Sequence, residues 1–119
     1  MKIINSYFRF NDDRGEIKGI INEGEWREIN YISSKKGSQR ANHFHKKLRE
    51  LFIIIDGSIN VSYFEVTKPD LIKSKIVKKG DVFIFENNIF HTFNVIEDAV
   101  WINALSNKIN PKNPDIHRL

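Results

Sequence analysis

The stretch Gly37-Ser38-Gln39-Arg40-Ala41-Asn42-His43-Phe44-His45-Lys46-Lys47-Leu48-Arg49-Glu50-Leu51-Phe52-Ile53-Ile54-Ile55-Asp56-Gly57 decides how this chain folds. Side chains along a β-strand alternate between its two faces, so His43 and His45 project to one side and Phe44 to the other. The link Lys46-Lys47-Leu48-Arg49 suits a turn. Glu50 then opens an apolar run at 51–55, in which Glu50, Phe52 and Ile54 share a face. Apolar residues recur here at spacing two, not at the three-and-four spacing of a helix.

The same alternation continues outward. β-Branched and aromatic residues gather in short runs at 2–10, 15–21, 25–33, 38–45, 51–56, 58–66, 71–77, 81–85, 91–95 and 99–106, bounded by Gly, Asn, Asp and Lys. The clearest turns are Asp12-Asp13-Arg14-Gly15, Asn22-Glu23-Gly24 and Thr67-Lys68-Pro69-Asp70. Many short strands without helical periodicity predict an all-β fold, either a closed barrel or a double-sheet jelly roll. The 119 residues suit one domain, 1–119. From about residue 107 the chain is rich in Asn and Pro (Pro111, Pro114), and an irregular tail is expected that covers a barrel edge or reaches a neighbouring subunit.

Composition narrows the chemistry. Forty per cent hydrophobic residues, with nine Phe and two Trp, supply a packed core. The absence of cysteine excludes disulfides, iron–sulfur clusters, thiolate zinc sites and a cysteine nucleophile, so a metal must be held mainly by His, Asp or Glu. A net charge of +4 mildly favours anionic partners such as phosphates. The lysines form scattered pairs (Lys35-Lys36, Lys46-Lys47, Lys78-Lys79) with no interleaved aromatics, so nucleic acid is not an expected partner. The first eight residues lack the apolar core of a secretory signal, and no apolar run approaches the about 20 residues of a membrane helix. The expectation is a cytoplasmic protein without membrane contact. Asn60-Val61-Ser62 matches a glycosylation sequon, read here as a chance match inside a strand.

The candidate site comes from four residues. His43 and His45 converge from one strand face, Glu50 sits at the start of the next strand, and His91 follows forty-one residues later. A carboxylate at a barrel mouth is costly to bury unless something pairs with it, and a divalent cation is such a partner. Three imidazoles and one carboxylate suit Zn, Fe(II), Mn or Ni, whereas so many nitrogens disfavour calcium. The alternative is that each His is an ordinary hydrogen-bonded strand residue.

Gly37, His43, His45, Glu50 and Gly57 match in full the first motif of the cupin superfamily, G-x5-H-x-H-x(3,4)-E-x6-G, and the chain is identified by this resemblance as a cupin over about 33–95. The second motif, G-x5-P-x-G-x2-H-x3-N, is matched at Gly80 and His91, with Glu86, Asn88 and Val95 in place of its Pro, Gly and Asn. The resemblance implies a small double-stranded β-helix in which His43, His45, Glu50 and His91 ligate a divalent metal. Asn88 suits the positive φ that such a turn requires.

Asp13-Arg14-Gly15 and Arg40-Ala41-Asn42-His43-Phe44-His45-Lys46-Lys47 resemble the nucleotide-sugar branch of the cupins, with Ala41 in place of a Gly. That branch comprises dTDP-4-dehydrorhamnose 3,5-epimerases, 3,4-ketoisomerases and capsular-polysaccharide cupins. The ending Asn113-Pro114-Asp115-Ile116-His117-Arg118 is similar to a Pro-Asp tail in some of them. The implied reaction is epimerisation or isomerisation beside the ketone of a nucleotide-linked sugar in surface-polysaccharide synthesis. His43 stands at the general-base position of the 3,5-epimerases, yet a His that ligates metal through its lone pair cannot also accept a proton. The base then falls to Glu86, Tyr31, Tyr63 or a metal-bound hydroxide. Arg40 and Lys46 are candidates to stabilise the enolate, and Arg14 and Arg40 to grip diphosphate. The alternatives are a non-catalytic sugar- or metal-binding cupin and a metal-dependent oxygenase. Cupins commonly pair through their outer sheets, so a homodimer is expected, covering the exposed N-terminal strand.

Overall fold

A computed structural model describes residues 1–119. The chain forms nine strands and no helix: β1 (Lys2–Ile3), β2 (Phe8–Asp12), β3 (Gly15–Gly19), β4 (Glu28–Ser34), β5 (Gln39–His43), β6 (Glu50–Glu65), β7 (Lys73–Lys78), β8 (Val82–Phe85) and β9 (Ile89–Leu105). No helix is long and apolar enough to cross a membrane.

The expected runs differ in kind from the strands at three places, beyond shifts of a few residues at other ends. The runs 51–56 and 58–66 are one strand, β6, and the runs 91–95 and 99–106 are one strand, β9. The polar residues that looked like breaks mark bends: β6 and β9 pair antiparallel from Glu50↔Leu105 to Glu65↔Ile89, with register shifts between Ile54 and Ile59. Extra residues in a ladder bend the strand without ending it. Conversely, the run 2–10 divides into β1 and β2. β1 pairs with β8, whereas β2 pairs only with β3 in a separate hairpin.

Because β6 and β9 bend together, each pairs with different neighbours on the two sides of the bend within one seven-stranded sheet. Their paired 50–54 and 101–105 segments join β8 and β1 on one side and β4 on the other. Beyond the bend they join β7 and β5. Between the layers Phe52, Ile54, Ile59, Val61, Val77, Phe83, Phe85, Phe93, Val95, Ala99 and Trp101 form the core, none more than 4% exposed. A second cluster, Leu51, Val82, Ile84 and Ala104, lies under the N-terminal segment through Ile4, Ile20, Ile21 and Trp26. Gly57 is required at the bend. Its φ is +84°, and a Cβ there would fall onto the Asp98 carbonyl oxygen and 2.7 Å from Ala99 Cα.

Candidate metal centre

Register brings the site together at one end of the core. His43 at the end of β5 pairs with His91 on β9, and β6 starts with Glu50 opposite Phe85. The ring centroids of His43 lie 4.8 Å from His45 and 5.0 Å from His91, and those of His45 and His91 are 5.9 Å apart. Ligand atoms of His43, His45, Glu50 and His91 all lie within 4.8 Å of one another. The four residues singled out by spacing are therefore one cluster.

Two backbone carbonyls orient its rings. His45 donates from Nδ1 to the carbonyl of Asp115, and His91 donates from Nδ1 to the carbonyl of Ile89 at 3.0 Å. In the neutral imidazole this leaves the Nε2 lone pair free. Both Nε2 atoms face the Glu50 carboxylate, His45 at 3.0 Å from Oε1 and His91 at 2.9 Å from Oε2. His45 Nε2, His91 Nε2 and Glu50 Oε2 are buried and face no partner other than one another. Buried polar atoms are ordinarily satisfied, so converging lone pairs of this kind fit a cation between them. Phe85 stacks on His91 at 4.9 Å and Phe52 lies edge-on to the same ring, which covers the inner side of the cluster.

The electrostatics follow from this packing. Burial, reinforced by the nearby His91, lowers His43 to about 4, against the pull of Glu50. Burial also opposes charge on His45, but its bond to Glu50 and that carboxylate's charge outweigh it and raise the imidazole. Burial pushes Glu50 up, yet the bonds and charges of His45 and His91 hold it well below the usual carboxylate range.

The strand that leads into the histidines is bulged and ends at His43, so that His45 lies beyond it and the strand expected over 38–45 is shorter. Ala41 and Asn42 both adopt left-handed conformations, φ 67° and 60°, where the register shifts between Ala41 and His43. Asn88, standing in for the expected glycine, also has positive φ, 61°, and its amide donates to the His45 carbonyl at 2.7 Å.

The other candidates are placed elsewhere. Tyr63 on β6 pairs in register with His91, and its ring packs 5.3 Å from that of Phe85. Glu86 accepts two bonds from Arg49, at 2.7 and 3.0 Å, and is half exposed outside the cluster. Arg49 lies in turn over the Trp26 ring. Arg14 is 83% exposed on the β2–β3 hairpin, clasped by Asp12. Arg40 donates to Ser34 Oγ and the Ser33 carbonyl beside a cleft of about 540 Å³ that also contains Asp56 and Asp98. Lys46 is exposed next to His45, and Tyr31 is exposed on β4. Asp115 and Arg118, noted in sequence only as parts of a tail motif, reach this site: Asp115 through His45, Arg118 through the Ala41 and Asn42 carbonyls at 3.2 and 2.9 Å.

A family model described as polysaccharide biosynthesis C-terminal domain matches residues 10–116. Germin-like protein 8-2 of Oryza sativa subsp. japonica is 33% identical over 72 residues, 58% of this chain and 32% of that protein. Putative germin-like protein 2-3 of the same species is 35% identical over 71 residues, 58% of this chain and 31% of that protein. The chain spans about a third of the length of these curated relatives. Among solved structures, a 3,4-ketoisomerase from Helicobacter canadensis superposes with a TM-score of 0.82 at 24% identity, covering 99% of this chain and 90% of that one. The WlaRB TDP-quinovose 3,4-ketoisomerase from Campylobacter jejuni gives 0.84 at 18% identity, covering 99% and 92%. The capsular polysaccharide assembling protein CapF from Staphylococcus aureus gives 0.74 at 24%, covering 94% of this chain and 34% of that one.

Proposed function

The chain belongs to the family of polysaccharide biosynthesis C-terminal domains and has a cupin-type jelly roll, and from that premise we propose that it is a divalent-cation cupin that epimerises or isomerises a nucleotide-linked keto sugar. The observation that carries the proposal is the set of buried ligand atoms on His45, His91 and Glu50 that face only one another, with His43 beside them. This donor set suits Zn, Mn, Fe or Ni. A cation held there would supply a Lewis acid for a carbonyl beside an enolising carbon. The likeness to ketoisomerases and to CapF supports a nucleotide-linked sugar as substrate and polysaccharide synthesis as its setting.

The chain's own groups divide the remaining work. His43, kept uncharged at neutral pH, is a lone-pair donor, and as a ligand it leaves proton transfer to another group. Of Tyr63 and Glu86, we assign that role to Tyr63, which packs against the inner ring Phe85, whereas Arg49 holds Glu86. Among the basic candidates, Arg14 and Arg40 are engaged by Asp12 and by Ser33 and Ser34. Lys46 is the exposed cation beside His45, and we assign it to the diphosphate. A second copy of the chain is the expected partner, docked on the β2–β3 hairpin.

Elemental analysis of untagged protein tests the centre: near-stoichiometric metal in the wild type, lost in His45→Ala/Glu50→Ala, is the expected result. No metal in the wild type after supply of Zn, Mn, Fe and Ni would overturn it. Solvent deuterium entering the carbon beside the ketone of a TDP-linked keto sugar, read by NMR, is expected of an isomerase. Ligand binding without such exchange would identify a binding cupin, and turnover that requires oxygen an oxygenase.

A further inference from the structure

We propose that residues 115–118 form a strap that sets the histidine strand for its cation, with Asp115 as the positioning residue of His45; the inference rests on the metal reading of the cluster. The contrast between the two buried histidines motivates it. His91 is oriented by the carbonyl of Ile89, two residues away on its own strand. His45 has no such local partner and takes the Asp115 carbonyl, seventy residues further along the chain. That bond fixes the proton on Nδ1 and turns Nε2 toward Glu50, the arrangement a metal-binding imidazole needs.

The strap grips the whole ligand segment. The Asp115 carboxylate accepts the amides of Lys46, Lys47 and Leu48 at 2.9, 2.8 and 3.0 Å, which orders the turn between His45 and Glu50. His117 braces that carboxylate from Nε2 at 2.9 Å, and its backbone exchanges two 2.9 Å bonds with Phe44. Arg118 donates to the carbonyls of Ala41 and Asn42. Left-handed geometry is strained at Ala41 and, though Asn42 tolerates it better, two such residues in succession before His43 call for outside support. Arg118 supplies it. Every residue from 41 to 48 except His43, which the strap leaves available to the cluster, is bonded by it or bridged to it.

Thermodynamic linkage makes the coupling reciprocal: a strap that favours the cation is itself tightened by the cation. The experiment titrates the full chain and its Asp115→Ala and Asp115→Asn variants with Co(II), whose visible absorption reports its coordination. We expect Asp115→Ala, which keeps the carbonyl but loses the carboxylate bonds that hold it against the 46–48 turn and His117, to bind about 10- to 100-fold more weakly with an altered band, as a displaced outer-sphere partner does. Asp115→Asn, which keeps an acceptor oxygen for the turn, should recover most of the affinity. In the wild type, Co(II) should slow hydrogen exchange of the Phe44 and His117 amides at least tenfold, read by mass spectrometry. That second measurement stands even if Asp115→Ala does not fold. A folded Asp115→Ala with wild-type affinity and band, or exchange at 44 and 117 indifferent to Co(II), would overturn the strap alone. A wild type that takes up no Co(II) would overturn the metal reading and the strap together.

Discussion

Burial and His91 hold His43 at about 4, whereas an unfolded imidazole titrates near ~6.5. Between these values the unfolded chain binds a proton that the folded chain refuses. His43 therefore contributes stability that is present above about 6.5 and lost as pH falls toward about 4. The shifted groups Glu50, Asp115 and His45 act outside this window. Glu50 and Asp115 are depressed, so their contributions are lost only below the unfolded carboxylate range of about 4, and the raised His45 loses its contribution above about 6.5. We predict that the urea midpoint of the metal-free chain falls from pH 6.5 to pH 4 and that His43→Gln flattens the slope; an unchanged slope would assign it elsewhere. His43, His45 and Glu50 were legible because period-two alternation and the short link to Glu50 are local facts, whereas His91, forty-one residues on, was joined to them by the resemblance to the second cupin motif. The orienting partner of His45 was not, since no local pattern predicts which carbonyl a tail seventy residues away delivers.

The elements β6 and β9 depend on a bend that only glycine permits. At Gly57 positive φ coincides with a close approach to Asp98 and Ala99, whereas Gly37 has similar φ, +86°, in open space. Gly57→Ala is predicted to destabilise the chain by about 2 kcal/mol or more, and Gly37→Ala by about 1 kcal/mol, the difference measuring the steric part. Equal losses in chemical denaturation would show that the bend relaxes around a methyl. The same glycine explains how far strands could be read. Alternation located the apolar segments on either side of Asp56-Gly57 and of Glu97-Asp98, but a turn and a bulged bend share the same polar and glycine residues. Only pairing distinguishes them, and pairing is a long-range property: β6 and β9 match each other from end to end. Asn88 was readable once the resemblance placed a glycine turn there, because its side chain tolerates positive φ.

At the scale of the molecule, the shape is longer than a compact chain of this length requires. The radius of gyration is 14.9 Å and the extents are 50 × 30 × 26 Å, against ~13.5 Å for a compact domain of this size. The β2–β3 hairpin pairs with no other strand, and every residue of β2 is exposed. Phe10 lies opposite Ile17, and Phe8 is two residues along on the same face, so one apolar face gathers Phe8, Phe10 and Ile17, 48%, 48% and 62% exposed. A two-stranded hairpin is marginal in water by itself, and an unpaired edge with an apolar face invites a partner. A second copy satisfies both needs, because a two-fold arrangement covers the same patch on each chain. We therefore predict sedimentation at twice the 14.0 kDa chain mass at tens of micromolar, and at the single mass for Phe8→Ser/Phe10→Ser. The metal-ligand cluster shares no residue with the hairpin, so the variant should keep its cation stoichiometry. A wild type that stays at 14.0 kDa would refute the dimer, and protection of its hairpin amides from exchange would then show that the hairpin is stable without a second copy.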